Sequence, residues 1–141
     1  MAVELTDAQA NRQKLRLASV RLDLRIAYAK ALLAWVGNPE LRRLGRPIVT
    51  VGYRSAAEQA ELYAQGRTKP GFIVTYKRAG ESKHNQRPAE ALDVAFMLSN
   101  GQVSWSAELL RRFAQLMKAA NANVRWGGDW VKFKDRPHFE L

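Results

Sequence analysis

The sequence predicts an α+β domain, a small antiparallel sheet with flanking helices and one long N-terminal helix. Apolar residues spaced by three and four run through the first quarter of the chain, β-branched runs of strand length lie in its middle, and a second amphipathic repeat follows them. At 141 residues the chain fits one unit able to bury its own core. Residues 1–38 read as the N-terminal amphipathic helix and 46–141 as the part that carries the chemistry.

Thr6-Asp7-Ala8-Gln9 is a capping box, with a hydroxyl at the N-cap and an amide three residues on. Leu15, Ala18, Leu22, Ile26, Ala29, Leu33 and Val36 then follow at helical spacing, while Arg12, Lys14, Arg16, Arg21 and Lys30 lie mostly off that line. Gly37-Asn38-Pro39 stops this helix. It is either an arm for anionic surfaces or a packing helix with a solvated charged face. Asp7 and Asp23 interrupt the positive charge and favour the second.

Ile48–Tyr53, bounded by Arg46-Pro47, reads as a strand that delivers Arg54 to its end. Ser55-Ala56-Ala57-Glu58 caps a short helix that Gly66 ends. Past the Lys69-Pro70-Gly71 turn, Phe72–Tyr76 reads as a strand, and Leu92–Phe96 as another with Asp93 inside it. Ser99-Asn100-Gly101 is a turn, and Ser106 caps a helix whose Leu109, Leu110, Phe113, Leu116 and Met117 form one face. Val124–Trp126 is a short strand, Gly127-Gly128-Asp129 a turn, and the tail from Pro137 extended. The four tryptophans, Trp35, Trp105, Trp126 and Trp130, read as core or cleft wall.

The net charge of +10 implies attraction to a polyanion. Without cysteine there is neither a disulfide nor a thiolate metal site, so any metal rests on His and carboxylate. No run of 18 apolar residues is present, which predicts no transmembrane segment. Met1–Asp7 carries acids where a secretory signal has a basic region, so no signal peptide is expected.

The chain has two histidines, His84 and His138, both in polar segments with a proline nearby. A carboxylate inside an apolar run asks for a cation, because burial strips its hydration. Two imidazoles and Asp93 would give zinc three protein ligands and leave a fourth position open for water. Asp135, three residues before His138, is the favoured proton acceptor for that water. Glu140 is the rival, or else orients a metal ligand by hydrogen-bonding it from behind, since on a strand it shares a face with His138. Arg54 can steady a substrate carboxylate or a developing oxyanion.

In order, Gly52-Tyr53-Arg54-Ser55 with Glu58-Gln59, Ser82-x-His84-Asn85, Pro88-Ala89-x-Ala91-x-Asp93 and Asp135-x-x-His138-Phe139-Glu140 resemble the zinc D,D-carboxypeptidases and L-alanyl-D-glutamate endopeptidases of peptidase family M15. The resemblance runs from Val51 to the C-terminus. It implies that His84, Asp93 and His138 bind Zn2+, that Asp135 is the acid/base, and that Arg54 binds substrate and stabilises the transition state. Ser82 matches the family serine two residues before the first ligand and is taken as substrate-binding. Two features depart from the commoner pattern: the loop is lengthened, with Asp93 nine residues after His84, and the base is Asp where Glu is frequent.

What the resemblance implies is a zinc metallopeptidase of peptidoglycan peptide stems, a monomeric enzyme of the phage endolysin type. It would be made in the host cytoplasm and act at the cell wall after membrane permeabilisation, drawn by charge to the anionic envelope. The competing expectation is a basic binding module for an anionic polymer without catalysis. No RNP-like, helix-turn-helix or zinc-finger pattern supports specific nucleic-acid binding.

Overall fold

The computed structural model describes residues 3–141. Helix α1 (Asp7–Ala18) opens on the expected capping box, with Thr6 Oγ1 accepting from Gln9 N and Gln9 Oε1 accepting from Thr6 N. The single long helix is in fact two, because α2 begins afresh at Leu22 and runs to Val36. Tertiary hydrogen bonds outcompete the helical ones at the break: Ala89 N donates to Ser19 O and Arg21 N to Ala89 O, at 2.8 and 2.9 Å. Ser19 Oγ also accepts from Tyr53 N at 2.9 Å. A helical repeat in sequence cannot register bonds to residues so distant.

Gly37-Asn38-Pro39 stops α2 as expected and also starts α3 (Pro39–Leu44), which Asn38 caps and Pro39 opens. Strand β1 (Arg46–Val51) leads to α4 (Ala56–Ala64), capped reciprocally by Ser55 and Glu58. Phe72–Tyr76, expected as a strand, forms no ladder. Its side chains are largely exposed, Phe72 to 89%. β-propensity does not hold a strand without a neighbouring edge to pair with.

Strand β2 (Ala91–Met97) pairs antiparallel with β1 and with β5 (His138–Glu140), and β5 pairs with β4 (Arg125–Trp126). The order is β1-β2-β5-β4, with β3 (Val103–Ser104) on the far end of β2. Helices α2 and α5 (Ala107–Ala120) cover one face. There Trp35, Tyr28, Phe113 and Met117 pack on Leu92, Val94, Phe96 and Phe139. Each such side chain, fully buried, contributes on the order of 1.5–3 kcal/mol.

Side chains alternate along a strand. Leu92 and Val94 face this core, which turns Asp93 to the other side of the sheet, and Phe139 in the core likewise turns His138 and Glu140 outward. Of the tryptophans, Trp35 is core and Trp126 nearly so, whereas Trp105 is half exposed. Among the described residues no helix is long and apolar enough to cross a membrane.

Candidate metal centre and cleft

Asp93 and His138 lie directly opposite each other in the β2–β5 ladder, so strand pairing sets their distance. His84 arrives on a single 3-10 turn (Lys83–Asn85) that Ser82 caps through its Oγ, 3.2 Å from His84 N. Two further bonds clamp this turn to the end of β1: Arg54 N donates to His84 O, and Asn85 Nδ2 donates to Arg54 O, both at 2.9 Å. Gly52 sits at the junction. A Cβ there would meet Arg16 O at 2.4 Å and Ser19 Oγ at 2.5 Å, so only glycine lets α1 close onto this strand end.

The hydrogen bonds decide which ring nitrogens face the site. Gly52 O can only accept, so His84 Nδ1, 2.8 Å away, carries a proton, and Nε2, 3.0 Å from Asp93 Oδ1, is the nitrogen whose lone pair would face an ion. His138 Nε2 donates to Glu140 Oε1 at 2.8 Å, leaving Nδ1 3.5 Å from the same Asp93 oxygen. One donor atom from each of the three residues thus lies within 4.8 Å of the others. Ligand atoms on a tetrahedral zinc ion, with bonds of about 2.0–2.2 Å, stand about 3.4 Å apart. Two imidazoles aimed at one carboxylate oxygen need positive charge between them, and the three residues fit a divalent ion.

Burial pushes the Asp93 carboxyl upward, but hydrogen bonds from His138 and His84 and their charge outweigh it and hold Asp93 well below the usual carboxylate range. Burial likewise pushes His138 down, while its bonds to Asp93 and Glu140 prevail and raise it to about 9. In the metal-free protein, then, a proton on His138 supplies the charge that Asp93 demands.

Asp135 Oδ2 lies 3.9 Å from His138 Nδ1, on the ring edge that faces Asp93. Burial, then the charge of Asp93, raise its pKa above the ordinary value. Asp135 N bonds Gly127 O at 3.0 Å, and a Cβ at Gly127 would meet Asp135 O at 2.1 Å, so this glycine admits the Asp135 backbone. Glu140 is on the opposite ring nitrogen, with Arg125 Nη2 3.0 Å from its Oε2. Burial opposes its ionisation, but His138, Lys83 and Arg125 lower its pKa. Of the two carboxylates weighed from sequence, geometry puts Asp135 beside the donor cluster and Glu140 behind His138.

Arg54 Nη2 reaches within 3.8 Å of Asp93 Oδ2, and its Nη1 donates to Gln59 Oε1 at 3.1 Å. Gln59 is wholly buried, and its Nε2 donates to Lys77 O at 2.8 Å and Thr75 Oγ1 at 3.4 Å. One amide therefore couples Arg54 to segment 72–77. Sequence reasoning placed Gln59 within a motif but gave it no role; a glutamine on the inner face of a short helix, one turn after an arginine, was the available signal.

Segment 74–77 forms one wall of a cleft of about 570 Å³, with Trp130 and Phe133 opposite. Tyr76 meets Phe133 edge-on at 5.1 Å across it, and Trp130 packs at a tilt against the His138 ring, 5.1 Å between centroids. Arg54, Ser82, His84, Asp93, Asp135, His138 and Glu140 all line this cleft, so the structure brings every sequence-predicted site residue together.

With this arrangement in view, comparison with known proteins is specific. A family model described as D-alanyl-D-alanine carboxypeptidase matches residues 75–141, the segment that carries both histidines, Asp93 and Asp135. The chain is 43% identical over 101 residues to the peptidoglycan L-alanyl-D-glutamate endopeptidase CwlK of Bacillus subtilis. Both matches support peptidase family M15. The Bacillus match takes in 67% of this chain and spans 59% of the Bacillus protein's length. The crystal structure of the Serratia marcescens L-Ala D-Glu endopeptidase ChiX superposes with a TM-score of 0.62 at 26% identity, covering 98% of this chain and 95% of ChiX. The cover reaches into α1 and α2, outside the stretch where the sequence resemblance was legible.

Proposed function

We propose that the protein is a zinc-dependent peptidase that hydrolyses peptide stems of bacterial peptidoglycan, with the bond between L-Ala and D-Glu as its target. The observation that carries this reading is the convergence of His84 Nε2, Asp93 Oδ1 and His138 Nδ1 in a cleft beside a carboxylate of raised pKa. The names of CwlK and ChiX support the choice of bond. His84, Asp93 and His138 would hold the ion. When bound, zinc makes a water acidic near neutral pH and polarises the scissile carbonyl.

The chain's own groups do the rest. Asp135 takes the proton from the attacking water and returns it to the departing amine nitrogen. Its raised pKa, next to Asp93, suits a group that must give the proton back. Arg54, held straight by Gln59, offers positive charge to the carbonyl oxygen as it becomes an oxyanion. Glu140 keeps the His138 ring in the tautomer that turns Nδ1 to the site. Ser82 holds the His84 turn and lines the cleft where a stem peptide lies.

Mass spectrometry of muropeptides after digestion tests this. The expected products carry a new D-Glu amino terminus, and EDTA stops their appearance. Loss of terminal D-Ala instead would move the reading to a carboxypeptidase, and no new amine from any murein by zinc-loaded protein would end it. The finer reading, a phage endolysin that meets the wall once the membrane is permeabilised, draws on the +10 charge. Added protein lysing chloroform-permeabilised but not intact Gram-negative cells is its expected outcome.

A further inference from the structure

Helix α2 is apolar on two opposite sides. Leu24, Ala27, Tyr28, Ala31 and Trp35 are buried in the core. Leu22, Ile26, Ala29 and Leu33 recur at intervals of four, three and four, and at 3.6 residues per turn their stripe lies about 180° from the buried one. Nothing among the described residues covers it: Leu22, Ile26 and Leu33 are 61%, 45% and 69% exposed. A helix apolar all round is normally buried all round. Scattered exposed apolar side chains need no explanation, but a continuous row of them does.

The surroundings say what chemistry covers the row. Arg25 borders it on one side and Lys30 on the other. Arg21 and Arg87 line a shallow depression with Leu22, Ile26 and Pro88. Its two acids, Asp23 and Glu90, are each paired, Asp23 2.6 Å from Arg21 Nε and Glu90 4.0 Å from Lys83 Nζ. A second copy fits poorly. Antiparallel packing would set Leu22 against Leu33 and Ile26 against Ala29, but it would also set Arg25 against Lys30, between chains that each carry +10. Nucleic acid answers the charge but offers no apolar depth. A bilayer with anionic headgroups answers both, since the apolar row enters the headgroup boundary while the basic edges remain among phosphates.

We propose that the outer face of α2, with Arg25, Lys30 and Arg87 at its margins, is a docking surface for an anionic lipid bilayer. The surface is independent of the metal centre and of the peptidase reading.

The test is sedimentation of the full-length protein with vesicles of phosphatidylglycerol or of phosphatidylcholine. The expected result is pelleting with phosphatidylglycerol alone, diminished by salt. Leu22→Ser, Ile26→Ser and Leu33→Ser combined should lower the bound fraction about tenfold while leaving the circular dichroism and muropeptide cleavage intact, because these side chains touch neither core nor cleft. Lys30→Gln with Arg87→Gln leaves the apolar row in place and should weaken binding about tenfold. The proposal is overturned if wild-type protein stays in the supernatant with phosphatidylglycerol, or if the triple variant pellets like wild type. It is equally overturned if wild type is a dimer that the triple variant dissolves, since a second copy then occupies the face.

Discussion

The candidate site has a sheet half and a loop half, and they are held by different means. Asp93, His138 and Glu140 belong to a ladder whose register is repeated bond after bond, down to Val94 N donating to Pro137 O at 2.9 Å. His84, Arg54, Asp135 and the 72–77 wall rest on a few separate bonds: the His84 ring and backbone to Gly52 O and Arg54 N, one glutamine amide for Arg54 and the wall, and backbone bonds of Asp135 to Gly127 O and His138 N. Strand pairing spreads any disturbance over a continuous ladder, whereas a loop contact concentrates it in a few bonds. The sheet half therefore fixes where an ion can sit, and the loop half tunes how a substrate and its charge are met.

Striking the sheet half should have the largest effect. Asp93→Asn removes the charge that both imidazoles face, and we expect loss of bound zinc by elemental analysis with at least a thousandfold fall in amine release, roughly. Full zinc content in that variant would count against the proposed ligand set. Next comes Asp135→Asn on the loop half, which should cost about 10²–10⁴ in kcat with zinc retained. Parallel loss of metal would make Asp135 a ligand and not a base.

Gln59→Leu sharpens the contrast, because it leaves Arg54 Nη1 and the Lys77 carbonyl, both part-buried here, without their partner. Destabilisation of about 1–3 kcal/mol in urea unfolding is expected. Displacement of Arg54 should also lower kcat about tenfold or more at unchanged zinc content. A purely structural glutamine would lower stability and spare kcat.

Metal removal exposes a pH dependence of the sheet half. In the free protein His138 has its pKa raised to about 9, through Asp93 and Glu140, above an unfolded value near 6.5. A raised pKa stabilises fully below the unfolded value and is lost as pH climbs through the folded one. The melting temperature of EDTA-treated protein should thus decline between pH 6.5 and about 9, and zinc uptake at pH 7 should release a proton. A flat melting profile over that range sinks the account. The smallest effect belongs to the cleft mouth. Tyr76→Ala removes the edge-on contact with Phe133, worth about 0.5–1.5 kcal/mol, and should raise KM a few-fold with kcat kept.

Much of this was legible in the residues. Thr6, Ser55 and Ser106 cap helices where their hydroxyls predict, because a cap is a bond to residues two or three away. Asp93 within Leu92–Phe96 announced a carboxylate needing a cation, and the structure supplies two imidazoles and Arg54. The break at Ser19–Arg21, the unpaired Phe72–Tyr76 and the role of Gln59 were hidden. Each depends on a partner far along the chain: Ala89, an absent neighbouring strand edge, Lys77.

By itself, then, the sequence determined the local chemistry of this protein: where helices start, which residues alternate across β2, and that only imidazole and carboxylate are on hand for a metal. Tertiary structure decided which ring nitrogen each histidine turns inward, which of two carboxylates stands beside them, and that α2 keeps one apolar face in the core and one in solvent. The physical reason is range. Capping and alternation are set within a few residues, while tautomer, register and burial are set by hydrogen bonds and packing between segments that only folding brings into contact.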